Sequence, residues 1–307
     1  MKILVADDDA VSRKIMERML QKIGYEVTIA ENGLDAVEKL LEPEGARLAL
    51  LDWMMPELDG PQVCSRVREA HEHRYVYLIV LTSRDSNEDL IAGLEAGADD
   101  YLIKPCNPAT LKARLRTAQR ILRLEDTLIA AREDMRFRAT HDALTGVWNR
   151  ASILEFLRSA IESAESTAVL LCDIDHFKGI NDKHGHLTGD AVLREVASRL
   201  RGGVRTGDGI GRYGGEEFLV ILRGCEAEHL AERAEQVRRA VSEDGFVVNS
   251  SSLSVSISIG AIAPRREDIS CSVESILSQV DAFLYQAKRA GRNRVVSPDL
   301  AVTNEVT

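Results

Sequence analysis

Residues 212–218 are Arg212-Tyr213-Gly214-Gly215-Glu216-Glu217-Phe218, and they lead directly into an apolar run. Paired glycines favour a tight turn, because they tolerate positive φ and let other groups approach the backbone closely. The stretch therefore predicts a hairpin turn that enters a strand. A second apolar run, Val169–Leu171, is followed by Asp173, so we expect Asp173 to face Glu216 and Glu217 from a neighbouring strand.

Carboxylates in this arrangement suit one kind of chemistry. Adjacent glutamates on a strand point to opposite faces, but at the mouth of a turn both can reach one cation. Magnesium-dependent phosphoryl or nucleotidyl transfer uses such a site, since the metal neutralises a polyphosphate and a carboxylate helps to deprotonate a hydroxyl. Taken by itself, the stretch also fits an ordinary hairpin with no ligand.

The N-terminal third of the chain has a different pattern, in which short apolar runs alternate with amphipathic segments. The runs are Ile3–Ala6, Val27–Ala30, Leu48–Leu51, Tyr77–Leu81 and Tyr101–Ile103. This alternation predicts a doubly wound parallel sheet, whose ligands bind beyond the C-termini of the strands. Asp7, Asp8 and Asp52 follow such strands, and carboxylates that repel one another persist where magnesium neutralises them. A solvated loop of surface aspartates is the alternative.

Four segments follow from these patterns: residues 1–106, 107–140, 141–298 and a frayed tail at 299–307. Segment 107–140 contains no glycine and predicts a single long helix. Its two apolar sets are Leu111, Leu115, Ala118 and Leu122, and then Ile121, Leu124, Leu128, Ala131 and Met135. We expect the first set to pack on the parallel sheet and the second to form a coiled coil with a partner chain. A switch between the two registers is the alternative.

Segment 141–298 has the character of a second α/β domain. In it Leu253, Val255, Ile257 and Ile259 alternate with serine, which predicts a half-buried strand.

Composition excludes several classes of protein. The formal net charge of -10 argues against a broad nucleic-acid footprint, which needs clustered Lys and Arg. The five cysteines are scattered and odd in number, which fits a reduced cytoplasmic compartment better than a disulfide framework. No apolar run approaches the roughly 20 residues of a membrane helix, and we expect no signal sequence. We therefore expect a cytoplasmic protein with no nucleic-acid or membrane partner.

The first segment resembles the receiver domain of two-component response regulators. The residues that complete the resemblance are Thr82, Lys104 before Pro105, and the turn Met55-Pro56-Glu57-Leu58-Asp59-Gly60. It implies a flavodoxin-like fold of strand order 2-1-3-4-5 and an Asp52 that accepts a phosphoryl group from a cognate histidine kinase. The implied magnesium ligands are Asp7, Asp8, Asp52 and the carbonyl of Met54. Lys104 and Thr82 would bind the phosphoryl oxygens. Tyr101 is either the switch aromatic of this family or a buried core tyrosine.

Segment 141–298 is similar to the GGDEF family of diguanylate cyclases. The motifs are Asp173-Ile174-Asp175-His176-Phe177-Lys178, Asn181-Asp182, Gly185 to Asp190, Asp142 to Arg150, and Lys288 to Arg294. The signature has Glu216 where the family name has Asp, a mild departure that keeps a carboxylate. The resemblance implies an α/β domain with a mixed, mostly antiparallel, palm-like sheet. It also implies that two GTP molecules become cyclic di-GMP and two pyrophosphates, in a homodimer because one GTP site cannot close the ring.

The same resemblance assigns roles to individual residues. Asp173, the carbonyl of Ile174, Glu216 and Glu217 hold magnesium, or manganese in its place, and Glu217 is the candidate base for the 3′-hydroxyl. The implied phosphate contacts are the backbone N–H groups of Phe177 and Lys178 and the side-chain cations of Lys288 and Arg292. The implied guanine contacts are Asn181 and Asp190. Asp142 and Arg150 are expected to form a structural salt bridge at the domain entrance.

Arg205-Thr206-Gly207-Asp208 is an RxxD sequence shortly before the signature. By resemblance, Arg205 and Asp208 form an inhibitory site for the product cyclic di-GMP, with a surface salt bridge as the alternative. Arg233, Arg238 and Arg239 are candidates for a second arginine at this site. The alternative function for the chain is a response regulator that senses GTP or cyclic di-GMP without catalysis.

Overall fold

The computed structural model describes residues 1–70, 74–83, 91, 93–163, 165–243, 245–248, 251–264 and 272–298. The predicted tail at 299–307 lies outside the described residues. The chain divides into two compact units, Met1–Arg132 and Glu133–Thr307. In the described part of the chain, no helix is both long enough and apolar enough to span a membrane.

The first unit contains a parallel five-stranded sheet of order β2-β1-β3-β4-β5. Its strands are β1 (Lys2–Ala6), β2 (Glu26–Ala30), β3 (Leu48–Asp52), β4 (Tyr77–Thr82) and β5 (Asp100–Ile103). Its helices include Ala10–Lys22, Gly33–Leu41 and Gly60–Ala70. Strands β3 and β4 are apolar along almost their whole length because helices cover both faces of a parallel sheet. The predicted doubly wound sheet is confirmed.

A helix of 33 residues, Pro108–Thr140, follows β5 and confirms the predicted long helix. We call it the linker helix. Its first apolar set, which is Leu111, Leu115, Ala118 and Leu122, is buried in the core beside residues of β1, β3 and β4. Its second set is exposed, with Leu128 at 69% and Met135 at 70%. The first set therefore packs on the sheet as predicted, and the coiled coil stays a prediction.

The second unit contains a mixed, mostly antiparallel sheet of order β12-β11-β6-β8-β7, as predicted. Its strands are β6 (Thr167–Ile174), β7 (Gly209–Arg212), β8 (Glu217–Arg223), β11 (Ile257–Ile262) and β12 (Val295–Val296), and β9 (Phe246–Val248) and β10 (Ser251–Leu253) form a separate hairpin. Its helices are Arg150–Glu162, Phe177–His184, His186–Gly202, Ala227–Ser242 and Val273–Arg289.

Each face of this sheet has its own core. Even-numbered residues of β6 and β8 pack with the helices His186–Gly202 and Ala227–Ser242. Odd-numbered residues of the same strands pack with Arg150–Glu162 and Val273–Arg289. This alternation follows from the two-residue period of a strand, and it decides which polar residues at the strand ends share a face.

The prediction of one half-buried strand through Leu253 and Ile259 is wrong. The segment is divided between β10 and β11, and every residue of β11 is buried, including Ser258 at 0% exposure. Ser258 is tolerated there because its hydroxyl donates to the buried Asp175 carboxylate at 2.6 Å.

Candidate functional site

Three carboxylates meet at the C-terminal edge of the parallel sheet in the first unit. Asp7 follows β1 and Asp52 ends β3, and these two strands pair in parallel register, so the two side chains meet at one edge. Asp7, Asp8 and Asp52 each offer an oxygen within 4.8 Å of the others. An all-oxygen cluster of this density suits a hard divalent cation such as magnesium.

Lys104 bridges two of these carboxylates. Its Nζ lies 2.7 Å from Asp7 Oδ2 and 2.7 Å from Asp52 Oδ1. Burial raises the pKa of Asp52, Lys104 lowers it and the Asp7 charge raises it, and the net direction is upward. Burial lowers the pKa of Lys104, but the Asp52 and Asp7 carboxylates outweigh it and hold that pKa above its usual value. The lysine thus supplies positive charge to an acidic cluster that is partly removed from water.

The third aspartate of the run has a structural task. Asp9 caps the helix Ala10–Lys22, accepting hydrogen bonds from the N–H groups of Val11 and Ser12. Sequence reasoning missed Arg13, whose Nη1 donates to the carbonyls of Asp7 at 2.8 Å and Asp8 at 2.9 Å. Its place one turn into the helix after an acidic run was the only available signal.

The other residues predicted for this site lie on or after β3, β4 and β5. Thr82 ends β4 and is buried, and its carbonyl accepts from the Lys104 N–H at 2.7 Å. Met54 follows Asp52 by two residues, with its side chain 59% exposed. Tyr101 lies on β5 and is half-buried.

In the second unit, strand register brings Asp173 opposite Glu217. Asp173 pairs with Glu217 of β8 on one side and with Ser258 of β11 on the other. The turn before β8 is tied to β6, because the Ile174 N–H donates to the Glu216 carbonyl at 3.3 Å. Asp173, Glu216 and Glu217 therefore occupy one end of the sheet.

Lys288 pairs with the carboxylate at the centre of this group. Asp173 and Glu217 are odd-numbered, so they share the face on which the helix Val273–Arg289 packs, and Lys288 lies in its last turn. Lys288 Nζ is 2.7 Å from Asp173 Oδ2. Burial raises the pKa of Asp173, Lys288 lowers it, and the Glu216 and Glu217 charges raise it, with a net upward direction. A cation is therefore favoured beside Asp173.

The two carboxylate groups differ in compactness. Among the described residues, three ligand oxygens lie within 4.8 Å of one another at Asp7, Asp8 and Asp52, and the trio of the second unit does not reach that spacing. Asp173 is 6% exposed, and Glu216 and Glu217 are half-buried. Two half-buried glutamate arms beside a buried aspartate fit an oxygen-ligated divalent cation by donor type.

The two glycines of the turn differ in their surroundings. Neither Gly214 nor Gly215 has a positive φ, so that part of the prediction is wrong. A Cβ on Gly214 would lie 2.8 Å from Glu217 Oε2, whereas a Cβ on Gly215 would meet open space. The Glu217 carboxylate therefore folds back against the turn at Gly214, and a side chain at this position would force that carboxylate to move.

A helix N-terminus follows β6. The helix Phe177–His184 begins after His176, which has a left-handed backbone with φ 56° and makes no side-chain cap. Its first N–H groups, at Phe177 and Lys178, have no intrahelical acceptor, which makes a helix start a binding site for anions. The predicted phosphate contacts and Asp173 are separated by only four or five residues.

The residues predicted to read guanine lie on two consecutive helices. Asn181 is in Phe177–His184 and Asp190 is in His186–Gly202, and both are half-buried. A Cβ on Gly189 would lie 2.0 Å from Asn181 Oδ1, so glycine is needed for the Asn181 side chain to lie between the two helices.

The predicted salt bridge between Asp142 and Arg150 is wrong. Asp142 pairs with Arg212 at 3.3 Å, and Arg150 stacks on the ring of Tyr213 at 4.7 Å. Arg212 also donates to the Gly215 carbonyl at 3.0 and 2.7 Å. Arg212 is the first residue of the signature stretch, and the spacing of charges along the sequence does not show which arginine reaches Asp142.

The RxxD sequence lines a cavity of about 290 Å³ together with residues of the helix Ala227–Ser242. Asp208 accepts the Arg205 N–H at 2.9 Å and the Arg223 N–H at 3.1 Å. Arg233 Nη2 lies 3.6 Å from Asp208 Oδ2, and Arg233 lines the same cavity. Of the three candidate arginines, Arg233 lies at this cavity, whereas Arg238 and Arg239 pair with Glu235.

Comparison with known families agrees with this geometry. Residues 139–294 match the family described as the GGDEF domain of diguanylate cyclases, and residues 3–116 match the response regulator receiver domain. The chain belongs to the GGDEF family. Its GGDEF domain is preceded by a receiver domain with the parallel sheet described above.

Several known proteins share this organisation or part of it. Response regulator PleD of Caulobacter vibrioides is 33% identical over 309 residues, which cover 96% of this chain and 65% of PleD. Diguanylate cyclase A of Treponema denticola is 40% identical over 139 residues, which cover 45% of this chain and 37% of that protein. The coiled coil and GGDEF domain of DgcB from Caulobacter crescentus, solved in complex with c-di-GMP, is 34% identical with a TM-score of 0.52, covering 61% of this chain and 99% of that one.

Proposed function

We propose that this chain is a response regulator whose GGDEF domain is a diguanylate cyclase. It converts two GTP molecules into cyclic di-GMP and two pyrophosphates, and phosphorylation of Asp52 by a histidine kinase increases the rate. The observation that carries the proposal is the pairing of Asp173 with Glu217 across β6 and β8, with the Lys288 ammonium 2.7 Å from Asp173. This edge of the sheet therefore places carboxylates that can bind a metal ion beside a lysine that can bind phosphate.

The side chains divide the work of the reaction. Asp173, the Ile174 carbonyl, Glu216 and Glu217 would hold magnesium or manganese, which supplies charge neutralisation for the triphosphate. Lys288, Arg292 and the N–H groups of Phe177 and Lys178 hold phosphate oxygens. Glu217 accepts the proton of the 3′-hydroxyl of one GTP, and the 3′-oxygen forms a bond to the α-phosphorus of the other GTP. The bond from that phosphorus to the bridging oxygen breaks, and pyrophosphate leaves.

Control is assigned to the receiver domain and the linker helix. Asp52 accepts the phosphoryl group beside Lys104 and Thr82, with Asp7, Asp8 and the Met54 carbonyl around a magnesium ion. The exposed apolar set of the linker helix, which includes Leu128 and Met135, pairs with the same set of a second chain. Phosphorylation favours this dimer, in which two GGDEF domains reach a high effective concentration and close the ring.

Product inhibition is assigned to the RxxD cavity. Arg205 is exposed and lines this cavity, and Arg233 reaches Asp208 from the helix Ala227–Ser242. Guanidinium groups recognise the guanine edge and phosphate by paired hydrogen bonds. We therefore assign Arg205, Asp208 and Arg233 to the binding of cyclic di-GMP.

A single incubation tests the proposed activity. Purified protein is mixed with GTP and magnesium, with and without beryllofluoride as a phosphoryl mimic, and the nucleotides are separated by chromatography. We expect cyclic di-GMP in both samples and more of it with beryllofluoride. GTP binding without any cyclic product would refute the enzyme and support a nucleotide sensor. If cyclic di-GMP forms at the same rate with and without beryllofluoride, only the proposed control by Asp52 is refuted.

A further inference from the structure

Two consecutive residues near the end of the GGDEF domain have a left-handed backbone. Arg292 has φ 63° and Asn293 has φ 47°, directly after Gly291 at φ 113°. Asparagine tolerates this conformation, but an arginine rarely adopts it. Unfavourable backbone conformations persist where surrounding contacts hold them, and they concentrate at binding sites. We call residues 291–293 the left-handed turn.

A buried carboxylate holds this turn. The Asn293 N–H donates to Asp175 Oδ2 at 3.0 Å. Asp175 is 5% exposed and also accepts the hydroxyls of Ser256 at 2.7 Å and Ser258 at 2.6 Å. Three donors of the protein therefore hold this buried carboxylate in place.

A second contact holds the same turn through the side chain of Asn293. Arg238, on the helix Ala227–Ser242, donates to the Asn293 Oδ1, and its guanidinium is itself oriented by Glu235 at 2.6 and 2.8 Å. Asn293 is thus held at its backbone by Asp175 and at its side chain by Arg238. Both contacts lie one residue from Arg292 and five from Lys288.

We propose that Asp175 is a positioning residue for the polyphosphate of GTP, acting through Asn293 on Arg292 and Lys288. This inference rests on the proposed function. Asp175 lies two residues after Asp173, so one strand end carries both a residue of the metal site and the anchor of the phosphate-binding turn. Loss of the anchor releases the left-handed turn and moves the Arg292 cation away from the triphosphate.

The proposal predicts a selective loss of affinity. Asp175→Asn keeps the size of the side chain but leaves one oxygen to accept where the carboxylate offers two. We expect 3′-deoxyGTP, which lacks the attacking hydroxyl and cannot react, to bind about tenfold more weakly, the usual effect of losing a hydrogen bond to a charged group. Guanosine monophosphate has no β- and γ-phosphates, so its affinity should change less than about twofold.

Two further variants keep the test sharp. Ser258→Ala removes one hydroxyl from Asp175 without a change in charge, and we expect a loss of about threefold for 3′-deoxyGTP. Thr167→Val is the matched control, since Thr167 is buried at the far end of β6 and donates only weakly, to Ala160 and Glu165 at 3.4 Å. It should leave both affinities unchanged. Ser258→Ala also provides the answer if Asp175→Asn does not fold.

The measurement is a titration of full-length protein with 3′-deoxyGTP and, by competition, with guanosine monophosphate. A selective loss for 3′-deoxyGTP in the Asp175 and Ser258 variants supports the positioning role. Equal losses for both ligands, or no loss for either, would overturn it. If the unaltered chain binds neither nucleotide, the proposed function itself fails. If every variant binds both nucleotides like the unaltered chain, only the positioning role of Asp175 fails.

Discussion

Lys104→Met removes the only cation that an ion pair places on the acidic cluster within the described residues, and its effect can be worked out from the geometry. Lys104 Nζ lies 2.7 Å from an oxygen of both Asp7 and Asp52. Each attraction is about 6 kcal/mol at an effective dielectric constant of 20, before the cost of desolvation. Removing one partner of a buried pair costs about 3–5 kcal/mol, and partial solvent screening reduces that figure. Since the Lys104 side chain is 29% exposed, we expect a loss of about 2–3 kcal/mol.

The same geometry predicts how the stability loss of Lys104→Met changes with pH and with magnesium. The pKa of Asp52 is raised, so the stability linked to its protonated form is present at low pH and is lost as pH rises through that pKa. The deficit of Lys104→Met should therefore shrink as the pH is lowered through the titration of Asp52. Saturating magnesium should also remove most of it, because the cation replaces the missing charge and binds the variant more tightly than the parent.

The assay is urea unfolding of the full-length chain in chelator and in magnesium. Trp53 is buried beside Asp52 and reports on the receiver domain, and Trp148→Phe removes the other tryptophan from the signal. Lys112→Met is the matched control, because Lys112 is exposed at the start of the linker helix. Unfolding of Lys104→Met like the control in chelator, or equal stabilisation of the parent and the variant by magnesium, would contradict this role of Lys104.

Three other outcomes are expected. Glu217→Gln should lower cyclic di-GMP synthesis by about a hundredfold or more while 3′-deoxyGTP still binds, measured by chromatography and titration; an equal loss of binding would contradict a role as base. Arg205→Ala should raise the cyclic di-GMP concentration for half-inhibition at least about tenfold, whereas the exposed Arg194→Ala should not; identical inhibition curves would remove the RxxD assignment. Leu128→Lys should weaken dimerisation at least about tenfold in sedimentation experiments with beryllofluoride, and an unchanged dimer would exclude the coiled coil.

Some features were determined by local pattern alone. The strands β1 to β5 are set by short continuous apolar runs and the linker helix by a helical repeat of apolar residues, and these signals depend on near neighbours in the chain. The burial of Leu111 and Leu115 and the exposure of Leu128 followed from the change of phase along one helix. The order of the parallel strands came from the resemblance to receiver domains, since periodicity does not contain it.

Features that depend on distant partners were not available from the sequence. Ser258 makes its strand look half-buried in the sequence, because a polar residue usually faces solvent. The acceptor that allows its burial, Asp175, is 83 residues away and gives no local signal. The sequence prediction paired Asp142 with Arg150, and only the position of Arg212 at the end of β7 shows that Arg212 is the partner. The close approach of the Glu217 carboxylate to Gly214 also becomes visible only when β6 and β8 pair and position the turn.

The sequence by itself determined the division into two α/β units, the strands of the first unit and the motifs that place acidic residues at strand ends, because each of these depends on local apolar runs and composition. The tertiary structure decided which charges meet. Each of the contacts that matter joins two different elements of the fold. They are the pairs of Lys104 with Asp7 and Asp52, of Lys288 with Asp173, of Arg233 with Asp208, and the hydrogen bond from Asn293 to Asp175. Such pairings are fixed by strand register and helix packing, and no pattern within a single segment specifies them.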